Sequence, residues 1–148
     1  MKSKLLYSLF TVTILALASG CISNKNTPTP TNYPTGTFTG QFRLIRNNLT
    51  TGVHDTSSAN IQLVLNATTG YSVTGDTSTL QAGSHGAYAI NSNYIDFQDA
   101  TYPKTGTPTK THLNGIYQYY YDGSSVFQML TASPLDTLVL EYDLKKTN

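Results

Sequence analysis

From residue 37 onward, apolar and polar residues alternate with a period of two, and this restricts the fold more than any other feature of the chain. Phe38, Gly40, Phe42 and Leu44 fall on one face, and Thr39, Gln41 and Arg43 on the other. Successive side chains of an extended strand point to opposite faces, so this pattern specifies a half-buried strand. It returns at Ala59, Ile61, Leu63 and Leu65, at Tyr71 and Val73, and at Tyr88 and Ile90, then across Asn91-Ser92-Asn93 at Ile95 and Phe97. The longest stripe is Leu113, Gly115, Tyr117, Tyr119 and Tyr121, which ends in Asp122-Gly123, a strong hairpin signal. Val126 to Leu130 is apolar on both faces apart from Gln128, whereas Leu138, Leu140, Tyr142 and Leu144 alternate cleanly. Eight strands are predicted, at about 37–46, 58–66, 69–75, 85–90, 93–98, 112–121, 124–130 and 136–144. No segment after Cys21 has the periodicity of an amphipathic helix. Short connections pair sequential strands, and a meander of eight removes its open edges most simply by closing on itself. The expected fold is all-β, an eight-stranded antiparallel up-and-down barrel; an open β-sandwich is the alternative.

The beginning of the chain obeys different rules. Lys2 and Lys4 precede an uncharged apolar run from Leu5 to Leu17. About thirteen residues fall short of the ~20 needed to cross a bilayer as a helix, so the run is a signal-peptide core rather than a permanent span. Leu17-Ala18-Ser19-Gly20-Cys21 then places small residues directly before the single cysteine of the chain. This stretch resembles the bacterial lipobox, with Ala18 where the commonest version has Leu. The resemblance implies cleavage between Gly20 and Cys21, a diacylglycerol on the Cys21 thiol, and acylation of the new amino group by a chain such as palmitate. Two or three acyl chains make detachment negligible where one gives only marginal binding. Ile22 replaces the Asp that serves as an inner-membrane retention signal, which by resemblance favours the outer membrane. Ser23-Asn24-Lys25-Asn26 matches charged surface-export signals poorly, so the expected domain faces the periplasm.

Three regions follow from this reading: a signal peptide at 1–20, a lipid-anchored linker at 21–35, and the barrel domain at 36–148. The linker carries Pro28, Pro30 and Pro34 among Thr, Asn and Ser, too polar to bury and too rich in proline for helix. Of nine Lys plus Arg, cleavage removes Lys2 and Lys4, leaving seven against eight Asp plus Glu. A nearly neutral chain without a basic stripe is a poor partner for nucleic acid. With its one cysteine given to lipid, the domain is expected to hold together by packing, without disulfides. Sequons at Asn48 and Asn66 are read as coincidental.

Gly36-Thr37-Phe38-Thr39-Gly40-Gln41-Phe42, Leu113-Asn114-Gly115-Ile116-Tyr117-Gln118-Tyr119, Asp122-Gly123 and Leu140-Glu141-Tyr142-Asp143-Leu144 together resemble small lipoproteins of the Bacteroidota. Their domain is similar to the lipocalin-like, or calycin-like, barrel. The similarity runs over most of residues 36 to 144, through structural glycines and alternating aromatics. Phe38 stands where lipocalins carry a tryptophan, and this chain has none.

Chemistry-bearing groups are sparse. His54, His85 and His112 lie outside the strand centres without ligand spacing, so no metal is expected and the three are read as exposed loop residues. Asp96 and Asp99 fall on opposite faces of an extended strand, which rules against paired acid and base work. No Gly-x-Ser-x-Gly elbow frames a nucleophile, and neither an enzymatic activity nor a cofactor is expected. The eleven tyrosines stand out. Phe38, Phe42, Tyr88, Phe97, Tyr117, Tyr119 and Tyr142 are the candidate lining of a cavity, and with Leu63 and Leu140 they are expected to point together. An eight-stranded barrel is just wide enough to be packed solid or to hold one small ligand. A solid core is favoured, because nothing on the stripe supplies a placed charge or amide. Two functions follow: a structural or interaction module contacting an envelope protein, or a lipocalin-type binder of a small hydrophobic ligand, with loops 46–58 and 99–111 at its mouth.

Overall fold

A computed structural model describes residues 32–147. The expected signal peptide, the lipobox-like stretch and most of the expected linker, including Gly20 and Cys21, lie outside the described residues. The eight strands are β1 (Gly36–Asn47), β2 (His54–Asn66), β3 (Gly70–Gly75), β4 (His85–Ile90), β5 (Tyr94–Asp99), β6 (Gly115–Tyr121), β7 (Val126–Ala132) and β8 (Leu138–Lys146). Each pairs antiparallel with its neighbours in sequence, and β8 returns to β1, so the sheet is a closed up-and-down barrel. The sandwich alternative is excluded. Phe42 sits opposite Ala59 on β2 and Tyr142 on β8, and the pleat then carries Phe38 and Leu44 inward on the same face.

The two largest departures of strand boundaries from the pattern have local reasons. β2 begins at His54 rather than 58, because Asn47 to Arg43 continue to pair with His54 to Ser58 in a hairpin extension that is largely exposed and polar and therefore shows no alternation. β6 begins at Gly115, not 112: Gly115 adopts a φ of 91°, which breaks the strand there, yet Leu113 still turns inward and is fully buried.

At one end of the barrel three turns share a device. Asn66 Oδ1 accepts the amides of Thr68 and Thr69, Asn91 Oδ1 those of Asn93 and Tyr94, and Asp122 Oδ1 those of Ser124, Ser125 and Val126. Short Asx side chains mimic a backbone turn in this way. The Asp122-Gly123 turn is wider than a two-residue hairpin and runs to Ser125. Chain entry at Gly36 and exit at Lys146 occupy the same end. Pro34, assigned by sequence to the linker, is buried there, and Asn32 Nδ2 donates to Gly123 O at 2.7 Å, so residues 32–35 already pack on the domain.

The opposite end holds the connections 48–53, 76–84, 100–114 and 133–137. Two of them meet through a parallel bridge between Gln81 and Thr111, where Ala82 N donates to Thr111 O at 2.8 Å and Thr111 N to Leu80 O at 2.9 Å.

Candidate functional site

The seven candidate lining residues converge on the lumen, and they fill it. Phe38, Phe42, Phe97, Tyr117 and Tyr142 are fully or almost fully buried, while Tyr88 and Tyr119, with Leu140, are half-buried and pack against them. Ring contacts run from wall to wall: Phe42 to Tyr142 at 4.9 Å between centroids, Tyr142 to Tyr117 at 5.7 Å, Tyr117 to Phe97 at 5.8 Å, and Phe97 to Tyr71 at 4.8 Å and Tyr88 at 6.3 Å. A second cluster joins Phe38 to Phe127 at 5.1 Å and Phe127 to Tyr119 at 5.9 Å. These separations and tilts are those of packed aromatic pairs. In β7 the phase left open by sequence is settled: Phe127 and Met129 point inward, Gln128 and Leu130 outward.

Polarity inside the barrel comes from a residue that alternation could not reveal. Gln81, in the connection after β3, is fully buried beside the Tyr142 hydroxyl. Tyr142 donates to Gln81 Oε1 at 3.5 Å, a long bond, while Gln81 Nε2 makes no hydrogen bond and the Tyr117 hydroxyl, set near the Tyr142 hydroxyl and the Asn114 backbone, makes none of good geometry. Tyr71 donates to Leu113 O, and Ser84 Oγ accepts the Leu113 amide at 3.1 Å. Burial pushes the Tyr117 phenol up to about 12, and it pushes those of Tyr142 and Tyr71 further above the ordinary value. None of the three can ionise near neutral pH, so they offer only neutral hydroxyls.

The histidines divide. His54 and His85 are exposed strand-end residues, His54 Nδ1 lying 2.7 Å from Asn47 Oδ1. His112 does not fit the expectation of an exposed loop residue: its side chain is 12% exposed and pairs with Asp99, whose side chain is wholly buried. Asp99, the last residue of β5, continues the inward phase of Ile95 and Phe97, while Asp96 lines a shallow recess on the outer wall with Tyr94 and Ile116. The two carboxylates therefore diverge as their spacing requires. Sequence carries no signal for the Asp99–His112 pair, since twelve residues of irregular connection lie between its members. Among the described residues no group of three His, Cys, Asp or Glu side chains is placed to hold a metal ion.

Outside, Arg43 on β1 bridges Glu141 and Asp143 on β8, with Glu141 Oε1 at 3.1 Å. The bond to Glu141 is the main cause that raises its pKa. This pairing lies across the seam that closes the barrel. Comparison of the chain with protein-family models, with curated proteins and with solved structures finds no match.

Proposed function

We propose that this chain is a lipid-anchored protein of the bacterial cell envelope, held at the periplasmic face of the outer membrane, whose barrel is a structural or partner-contacting module rather than an enzyme or a carrier. The filled lumen is the observation that supports a surface role. A carrier needs a concave apolar space with a few placed polar groups. Here that space is taken by Phe42, Phe97, Tyr117 and Tyr142 in mutual contact. The anchor rests on the charged start, the apolar run and the lipobox-like Ala18-Ser19-Gly20-Cys21.

Expression of the full chain with metabolic labelling by a palmitate analogue tests the anchor. The wild type should carry label and partition with membranes, and Cys21→Ser should lose both. Label or membrane association surviving that substitution would sink the anchor. Titration of the purified protein with a fatty acid or a fluorescent apolar dye tests the role of the barrel. Saturable binding abolished by a lumen substitution would replace the module with a small-ligand carrier.

A further inference from the structure

The end of the barrel nearest the tether carries a ring of tyrosines. Tyr94, first in β5, and Tyr120, near the end of β6, are 48% and 58% exposed. Tyr119 and Tyr121 are half-buried beside them, their hydroxyls donating to Asn91 O at 2.7 Å and Ser124 O at 3.3 Å in the turns of that end. Tyr33, also half-buried, comes close enough to Tyr119 to act on its hydroxyl. The opposite end has one exposed tyrosine, Tyr102.

Both ends carry cations, but the far end sets its own against carboxylates: Arg46, Lys104 and Lys110 lie there with Asp55, Asp76 and Asp136, whereas β8 brings Lys145 and Lys146 to the tether end. The one acidic side chain in the tether-end turns, Asp122, is engaged by three backbone amides.

Tyrosine, with an apolar ring and a polar tip, suits the boundary between headgroups and acyl chains. Lysines near an anionic leaflet add a favourable field. The length of chain before the described residues determines what this rim can meet. Asn32 is fixed to the β6–β7 turn through Gly123 O, and the ten residues from 22 to 31 can extend at most about 36 Å. A tether this short holds the rim at high effective concentration beside whatever surface carries the lipid, so even a weak contact is occupied.

We propose that the tyrosine rim seats on the headgroup layer of the bilayer, so that the barrel stands end-on with its long connections turned away from the membrane. This inference rests on the Cys21 anchor proposed above.

The chain contains no tryptophan, so single reporters can be introduced without background. Full-length lipidated protein carrying Tyr120→Trp, Tyr94→Trp or Tyr102→Trp is placed on vesicles of phosphatidylethanolamine and phosphatidylglycerol with brominated acyl chains. Tyr120→Trp and Tyr94→Trp, both at exposed positions, should be quenched at least twofold more than Tyr102→Trp and emit further to the blue. Vesicle-bound protein with equal quenching at all three positions, or with most at Tyr102→Trp, overturns the docking and leaves the anchor standing. Protein that does not float with the vesicles overturns the anchor and the docking with it.

Discussion

His112 Nδ1 lies 2.6 Å from Asp99 Oδ2, and this contact ties the connection 100–114 back onto the end of β5. Thr101 reinforces it by donating its amide and its hydroxyl to Asp99 Oδ1 at 2.7 and 2.6 Å. Tyr102 packs edge-on against the imidazole at 5.2 Å, and the Asp99 amide donates to Asn114 Oδ1 at 3.0 Å. A loop of more than a dozen residues is thereby held at both its ends through one carboxylate. Burial works against ionisation of Asp99, but the bonds from Thr101 and His112 outweigh it and hold the carboxyl below the usual carboxylate value.

The sign of the pH dependence follows. A carboxyl whose folded pKa is depressed contributes stability that is fully present above its unfolded value, near ~3.9, and lost as pH falls through the folded value. Asp99→Asn should cost about 1–3 kcal/mol near neutral pH, by the loss of charge-assisted bonds to a buried site. Urea unfolding at pH 7 and at pH 3 checks this. The gap between wild type and variant should shrink at the lower pH, and an unchanged gap would show that the carboxylate charge is not what secures the loop.

The two central tyrosines should respond in opposite directions to the loss of their hydroxyls. Tyr117 carries a buried hydroxyl that makes no hydrogen bond of good geometry, so Tyr117→Phe removes a desolvation cost and should be neutral or stabilising by up to about 1 kcal/mol. Tyr142 donates to Gln81 Oε1, so Tyr142→Phe leaves a buried acceptor bare and should cost about 1–3 kcal/mol. Thermal unfolding of the two variants side by side decides it, and a loss of similar size in both would mean that the Tyr117 hydroxyl is satisfied after all.

Strand order, closure and the inward face were legible because a wall with one buried face must alternate, and a one-residue slip would expose Phe38, Phe42 and Leu44 together. What stayed hidden lies where that constraint lapses. His54 to Ser58 are strand without a core face, so they look like loop. Gln81, Ser84 and His112 sit in irregular connections, where burial is decided by which loop crosses the barrel end and not by local spacing. The expectation that nothing on the stripe supplies a placed charge or amide concerned the strands alone, and Gln81 enters from outside them.

Burial also separates Tyr117 and Tyr119 on the inward face of β6. Tyr117 is completely enclosed, and Tyr117→Ala should cost about 3–5 kcal/mol, the range for deleting a large buried aromatic. Tyr119 lies nearer the rim with its hydroxyl on Asn91 O, so Tyr119→Ala should cost distinctly less. Denaturant midpoints at constant m-value measure both. Equal losses would show that the rim end of the core is as closed as its centre.

The seam that closes the barrel holds a backbone position with no room for a side chain. A Cβ built on Gly40 of β1 would lie 2.1 Å from Asp143 O and 2.9 Å from Leu144 Cα on β8, both main-chain atoms that cannot step aside singly. Gly40→Ala must therefore displace the β1–β8 pairing, which also carries Arg43 between Glu141 and Asp143. The ion pairs are half-buried on the outer wall and still reached by solvent, worth about 1 kcal/mol, so Arg43→Ala should be mild. Overpacking at Gly40 should cost at least the ~1–3 kcal/mol of a strained core insertion, and more if the barrel opens. Hydrogen exchange in the Gly40→Ala variant locates the damage. Amides of Gly40 to Leu44 and of Leu140 to Leu144 should lose protection before those of β4 and β5, and uniform loss around the barrel would show that closure is cooperative rather than weakest at this seam.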